Sequence, residues 1–235
     1  MADLQELYSG LSGGRVLDVA TGRGGFVEEL IKQLGDYDEI IGIDIDADLA
    51  DGFSKQFADD AGVRFQLADA MALPFEDQSF DTVSAAGSLH HIGDPRVGLR
   101  EMVRVLRPGG HLIVVEMYRD GQTDTQQTHV RLHHWWAAVD RLRGVSHRET
   151  YTRSEVIELI EALGLTKLTM RDEAYLNDEP TAPTVIARLE PGIDEYLGYA
   201  AGHPDLLAEG DAIRERLHGT GFHPATVLVA MGERP

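Results

Sequence analysis

The residues VLDVA, 16 to 20, form an apolar run broken by one acid and pass into a loop with three glycines in four positions, Gly22, Gly24 and Gly25. A helical pattern follows at once, with apolar residues at Phe26, Val27, Leu30, Ile31 and Leu34. A buried strand turned directly into a helix allows few architectures, because the helix must pack back over the strand it has left. The unit recurs. IIGID at 40–44, VRFQL at 63–67, FDTVSA at 80–85 and HLIVVE at 111–116 read as strands, and Val97, Met102, Val103 and Leu106 mark another helical face. Arg107-Pro108-Gly109-Gly110 ends that helix and turns the chain into the next strand. This alternation predicts an α/β protein with an open, mostly parallel sheet and helices on both faces.

Beyond residue 117 the alternation lapses. YRDGQTDTQQ reads as a polar loop and HVRLHHWWAAVDRLRG as a helix from 129 onward. TRSEVIELIEALGL reads as a helix capped by Thr152 or Ser154, with Gly164 just past its end. KLTMRDEAY and TVLVAMG supply a sixth and a seventh strand. Helical insertions are therefore expected after strand five, at 118–150, and between strands six and seven, at 180–222. With no internal repeat and no linker, residues 1–235 read as one domain with a core at 14–117; the insertions are expected to form an acceptor cap or an oligomer contact.

Charge and cysteine content narrow the function. Lys and Arg total 21 against 40 Asp and Glu, a net charge of −19 that repels phosphate backbones and argues against a nucleic-acid partner. Nearly all the positive charge is arginine, since the lysines are Lys32, Lys55 and Lys167. The absence of cysteine removes disulfides, thiolate metal sites and thiol nucleophiles together. No apolar run reaches bilayer length, and MADLQELYSG lacks the basic start and apolar centre of a signal peptide. No membrane partner and a cytoplasmic location are the expectation; the oligomeric state is left open.

The glycine loop has three possible ligands: a dinucleotide, a nucleoside triphosphate, or a molecule without phosphate. The dinucleotide pattern Gly-x-Gly-x-x-Gly fails, because a start at Gly22 puts Val27 in third place and a start at Ala20 lacks the first glycine. No Gly-Lys-Ser/Thr follows, which excludes a phosphate loop. Asp-x-Ala-x-Gly-x-Gly, here Asp18, Ala20, Gly22 and Gly24, instead resembles the first motif of class I S-adenosylmethionine-dependent methyltransferases, with Ala20 where that family usually has its first glycine. Asp44 ends the second strand about 20 residues later, where a carboxylate can accept ribose hydroxyls. The segment LADAMALPFEDQSFDTV, with Asp69 after the third strand, then SLHHIGDP and REMVRVLRPGGHLIVVE extend the resemblance to the small-molecule, ubiquinone-methyltransferase-like branch over residues 14–117. It implies a Rossmann-like methyltransferase fold with a seven-stranded sheet. It also implies S-adenosyl-L-methionine bound by Asp18, Ala20, Gly22, Gly24, Asp44, Ile45, Asp69, Ala70 and Ala86. Gly22 and Gly24 are expected to give backbone clearance to the methionine tail and Gly25 to serve helix packing. The function implied is methyl transfer to a small-molecule acceptor by in-line displacement. A cofactor-binding sensor or non-catalytic partner subunit is the alternative, and a nicotinamide-dependent oxidoreductase the third reading.

Methyl transfer from a sulfonium needs alignment, and a base only where the acceptor must lose a proton. His90 and His91 follow strand four, at the edge where ligands bind in open α/β sheets, and are the candidate bases. Glu116 and Tyr118, just after strand five, are candidate acceptor-pocket residues by position. On the 129–141 helix, Leu132, Trp135, Val139 and Leu142 form an apolar stripe beside a second stripe of His129, His133, Trp136 and Asp140. The second stripe reads first as a solvated shoulder. As pocket lining, His129, His133 and Trp136 would face the acceptor. Metal ligation by His129 and His133 ranks last, and no metal is assigned.

Overall fold

A computed structural model describes Tyr8, Leu11 and residues 13–235, so most of the N-terminal stretch read above for a signal peptide lies outside the described residues. The strands are β1 (Arg15–Val19), β2 (Glu39–Asp44), β3 (Val63–Leu67), β4 (Phe80–Ala86), β5 (Leu106–Met117), β6 (Thr166–Glu173) and β7 (Val227–Glu233). The helices are α1 (Gly25–Gln33), α2 (Ala50–Gln56), α3 (Pro95–Val105), α4 (Asp124–Leu142), α5 (Arg153–Glu161), α6 (Pro183–Tyr199) and α7 (Pro204–Gly219). The seven strands form one sheet in the order β3-β2-β1-β4-β5-β7-β6, with helices on both faces.

The pairs β1–β2, β1–β4, β2–β3 and β4–β5 are parallel. Strand β7 runs the other way: the start of β5 meets its end, where Gly109 N–H donates to the Arg234 carbonyl and Arg234 N–H to that of Gly110. Strand β5 begins at Leu106, which pairs with Phe80 of β4, five residues before the strand read from the apolar run. Because β1 to β5 are parallel, Asp18, Asp44, Leu67, Ala86 and Glu116 all come at or near the carboxyl edge of the sheet. The chain order reverses between β1 and β4, and that switch point is where open α/β sheets hold ligands.

The described residues divide into two compact units. The first runs to Glu116 and adds Glu158–Arg171 and Val229–Pro235; its core is the sheet, with Leu17, Ile40, Ile41, Ile43, Phe80 and Val83 fully buried. The second takes Met117–Ile157 and Asp172–Leu228, so the two stretches expected as separate insertions contribute to one helical body. Its core joins Leu132, Trp135 and Val139 of α4 to Val185 and Ile193 of α6 and Ile213 and Leu217 of α7. Trp135 is fully buried and donates Nε1–H to the Leu206 carbonyl at 2.8 Å. A Cβ at Gly210 would stand 2.4 Å from the Trp135 ring, so glycine there lets α7 close on the indole.

Three sequence expectations are corrected in this second unit. Helix α4 starts at Asp124, not 129, because Gln126 turns back to accept the Thr123 N–H at 3.0 Å and caps a stretch whose polar residues read as loop. Leu142 is 49% exposed: it ends the helix, beyond the Leu132–Val139 segment that packs on α6 and α7. The stripe read as a solvated shoulder is not solvated, since His133 and Asp140 are buried. The cap of α5 is as expected, with Thr152 Oγ1 accepting the Glu155 N–H at 3.2 Å and Gly164 at positive φ beyond the helix.

Candidate functional site

At the end of β1 the chain turns through two left-handed residues, Ala20 at φ 54° and Gly22 at φ 56°. An alanine there carries strain of about 1–2 kcal/mol that glycine would not. The loop is fastened to β2 twice: Thr21 N–H donates to the Ile43 carbonyl at 2.8 Å, and Gly22 N–H donates to Asp44 Oδ2 at 2.9 Å. The other Asp44 oxygen accepts the Asp46 N–H at 3.1 Å. Glycine loop and strand-end carboxylate are thus one construction, held in place while each oxygen of Asp44 keeps further acceptor capacity.

The glycines divide their work differently from the sequence reading. A Cβ at Gly24 would stand 2.4 Å from the Phe57 ring, so Gly24 is the packing position, while Gly25, expected to pack, has nothing within 4 Å. Gly22 also has open space around it.

Asp18 is buried beside Ser84, which the β1–β4 register places directly opposite and whose hydroxyl donates to Asp18 Oδ1 at 2.6 Å. Burial pushes the Asp18 carboxyl from its ordinary 3.8 up to about 6; the Ser84 hydrogen bond opposes this and the nearby Asp44 charge adds to it. A lone serine within the apolar run of β4 was the sequence signal for this partner. Farther along the edge, Asp69 accepts the Met71 N–H at 2.8 Å, with Ala70 beside it, and Ala86 closes β4 ahead of Gly87 at φ 57°. Ile45 is 73% and Leu67 57% exposed. Leu67 pairs with Asp44 in the β2–β3 register, so two bare aliphatic side chains stand by the carboxylate, as a flat apolar ring would require. Leu67 was not singled out from the sequence; an apolar residue ending a strand beside an acid was the available signal.

The end of β4 carries a second construction. His90 is buried, and its Nδ1 lies 2.8 Å from Glu116 Oε1, while Glu116 Oε2 accepts the Leu89 N–H at 2.7 Å. Glu116, expected to line an acceptor pocket, is fully buried and holds the His90 ring. A carboxylate on Nδ1 fixes the tautomer with the proton there and makes Nε2 the basic nitrogen. His91 is exposed, with its ring centroid 4.3 Å from that of His90.

The remaining candidates belong to the second unit. Tyr118 donates its hydroxyl to Asp172 at 3.2 Å, and burial followed by the Asp172 charge raises its pKa. His129 Nδ1 accepts the Ala225 N–H at 2.8 Å and its ring lies on Phe222. Trp136 packs against the core and stands 5.5 Å from the Tyr196 ring. His133 is buried, with its ring centroid 4.7 Å from that of His147. A cavity of about 190 Å³ in this unit is lined by Tyr175, Asn177, Arg188 and Phe222, none of them a sequence candidate.

A family model described as a methyltransferase domain matches residues 17–114, the segment that carries Asp18, Asp44, Asp69, Ala86 and His90. Over residues 17–114 the chain is similar to class I methyltransferases. The domain is similar to the demethylmenaquinone methyltransferase of Deinococcus radiodurans, 44% identical over 103 residues, which are 43% of this chain and 42% of that protein. The chain spans under half the length of the first curated relatives it matches. Among solved structures, the YcgJ protein from Bacillus subtilis superposes with a TM-score of 0.61 at 21% identity, covering 98% of this chain and 96% of that one. The phosphoethanolamine N-methyltransferase 2 of Haemonchus contortus, solved with S-adenosyl-L-methionine, gives 0.62 at 16% identity, covering 98% and 51%. At these identities the structures establish the shared fold.

Proposed function

We propose that the chain transfers a methyl group from S-adenosyl-L-methionine to a small-molecule acceptor by in-line displacement. The observation that carries this is the Gly22 N–H bond to Asp44, which joins the glycine loop to a strand-end carboxylate at the sheet's switch point. The residues fit the cofactor: open space at Gly22, a carboxylate with acceptor capacity at Asp44, and exposed Ile45 and Leu67 beside it. When bound, the sulfonium supplies an electrophilic methyl group. Asp44 would accept the ribose hydroxyls, Asp69 the adenine amino group, and Ile45 and Leu67 would cover the adenine ring. Asp18, Ala20, Gly22 and Gly24 would surround the methionine end, with Ala70 and Ala86 flanking. Where the acceptor must lose a proton, His90 Nε2 would take it, with Glu116 as the positioning residue behind the ring; His91 is the second candidate. Tyr118, His129, His133 and Trp136 stay proposals as acceptor contacts, and the hydrogen bonds and packing of His129 and Trp136 make them the weakest of the four.

A net charge of −19 supports a small-molecule acceptor over a nucleic acid. No helix among the described residues is long and apolar enough to cross a membrane, and we infer a cytoplasmic enzyme. Calorimetric titration with S-adenosylmethionine, its demethylated product and NAD tests the reading. We expect both sulfur compounds to bind and NAD not to. Tight NAD binding with none of the sulfonium compound overturns it.

A further inference from the structure

The helical unit holds a pair of buried imidazoles, His133 and His147, the first of them also a proposed acceptor contact. His133 projects from α4, and His147 belongs to the segment that follows the helix; both are buried, at 9% and 5% exposure. Their ring planes cross at 88°, and one nitrogen of each lies within 4.8 Å of the other. Two nitrogens on one tetrahedral zinc stand roughly 3.3 Å apart at ordinary zinc–nitrogen lengths, so small side-chain adjustments bring both to a common ion.

What surrounds the pair is more telling than the spacing. His147 Nδ1 lies 2.8 Å from Asp140 Oδ2, which leaves Nε2 as the ligating nitrogen. Asp140 also accepts the Tyr196 hydroxyl at 3.1 Å, and Arg143 stands 3.4 Å from its other oxygen. A carboxylate engaged in this way orients an imidazole rather than binding an ion itself, and a carboxylate behind a histidine is the usual support of a metal ligand. His129, one turn before His133, is committed to the Ala225 N–H, so the i, i+4 pair visible in the sequence is not the ligand pair.

We propose that His133 and His147 are two ligands of a transition-metal site in the helical unit, with Asp140 the carboxylate that orients His147. Imidazole donors without thiolate select zinc, nickel or copper over magnesium or calcium. The remaining coordination positions are filled from outside this pair.

The test uses the full chain, stripped with a chelator and titrated with Zn²⁺ and separately with Mg²⁺. The proposal expects one equivalent of Zn²⁺ bound with micromolar or tighter affinity and no comparable Mg²⁺ binding. His133→Ala and His147→Ala should each weaken Zn²⁺ at least tenfold, and Asp140→Asn by 10- to 100-fold. Zn²⁺ affinity no better than millimolar, equal Mg²⁺ binding, or wild-type affinity in both histidine variants overturns it. Should the variants fail to fold, anomalous diffraction from a zinc-soaked wild-type crystal decides instead. A peak bonded to both imidazoles supports the site, and a peak elsewhere or none removes it.

Discussion

His90 and His147 each hold Nδ1 2.8 Å from a buried carboxylate, Glu116 in the first unit and Asp140 in the second. The chemistry is the same and the framing differs. Glu116 lies on strand β5 and ties down the backbone after β4 through the Leu89 N–H, at the sheet edge where ligands bind. Asp140 lies on helix α4 and ties that helix to Tyr196 of α6, within a body that coheres around Trp135. A carboxylate–imidazole pair therefore does not name its own function. In the sheet unit the proposed role is proton transfer, and in the helical unit it is orienting a metal ligand.

The largest expected effect separates the pairs by activity. His90→Ala should lower kcat by roughly 10²- to 10⁴-fold with KM little changed, the range for loss of a general base. Glu116→Gln, which keeps the imidazole and loses its orientation, should fall between that variant and wild type. Steady-state kinetics with a competent acceptor, beside a thermal melt, checks both; wild-type kcat in each would remove the distinction between the two histidines. Next, Trp135→Ala should cost about 3–5 kcal/mol of unfolding free energy by denaturant titration, because it empties the centre of the helical core. A loss under about 1 kcal/mol would mean that Trp135 is not the centre of that core.

A third effect concerns buried charge in the sheet unit. The Asp18 carboxyl, raised from 3.8 to about 6, is stabilised in its protonated form by folding. Its contribution is complete below pH 3.8 and is lost as pH rises through about 6. The stability of Asp18→Asn relative to wild type should therefore rise by roughly 2 kcal/mol between pH 4 and pH 7 in the cofactor-free protein. A flat difference would show that Asp18 is not desolvated. The smallest effect is Ala20→Gly. Relief of the left-handed alanine, offset by the added freedom of the unfolded chain, leaves a gain of at most about 1 kcal/mol. Destabilisation by that amount in a thermal melt would place Ala20 outside the left-handed region.

The two units were not equally legible in the sequence. The sheet could be read because its strands are short apolar runs and its acids stand at their ends; Asp18, Asp44 and Asp69 sit at the edge that their position after each strand implied. What sequence could not provide were partners far along the chain. Ser84 meets Asp18 across β1 and β4, and Glu116 meets His90 across 26 residues. In the helical unit the difficulty was of another kind. Polarity along α4 read as solvation, yet His133 and Asp140 are buried, and Asp140 is sustained by His147 and by Tyr196, 56 residues away. Periodicity locates an apolar face; it does not reveal a polar face whose hydrogen bonds are supplied by another helix.

The proposed activity rests on the joint construction of the glycine loop and Asp44, and one titration tests it most directly. S-adenosylmethionine is titrated calorimetrically into wild type and Asp44→Ala, with a thermal melt confirming that both are folded. Loss of a carboxylate that receives a diol and fixes the Gly22 N–H should weaken binding at least tenfold, corresponding to roughly 1.5–3 kcal/mol. Equal affinity in the two proteins would contradict the placement of the methyl donor at this sheet edge.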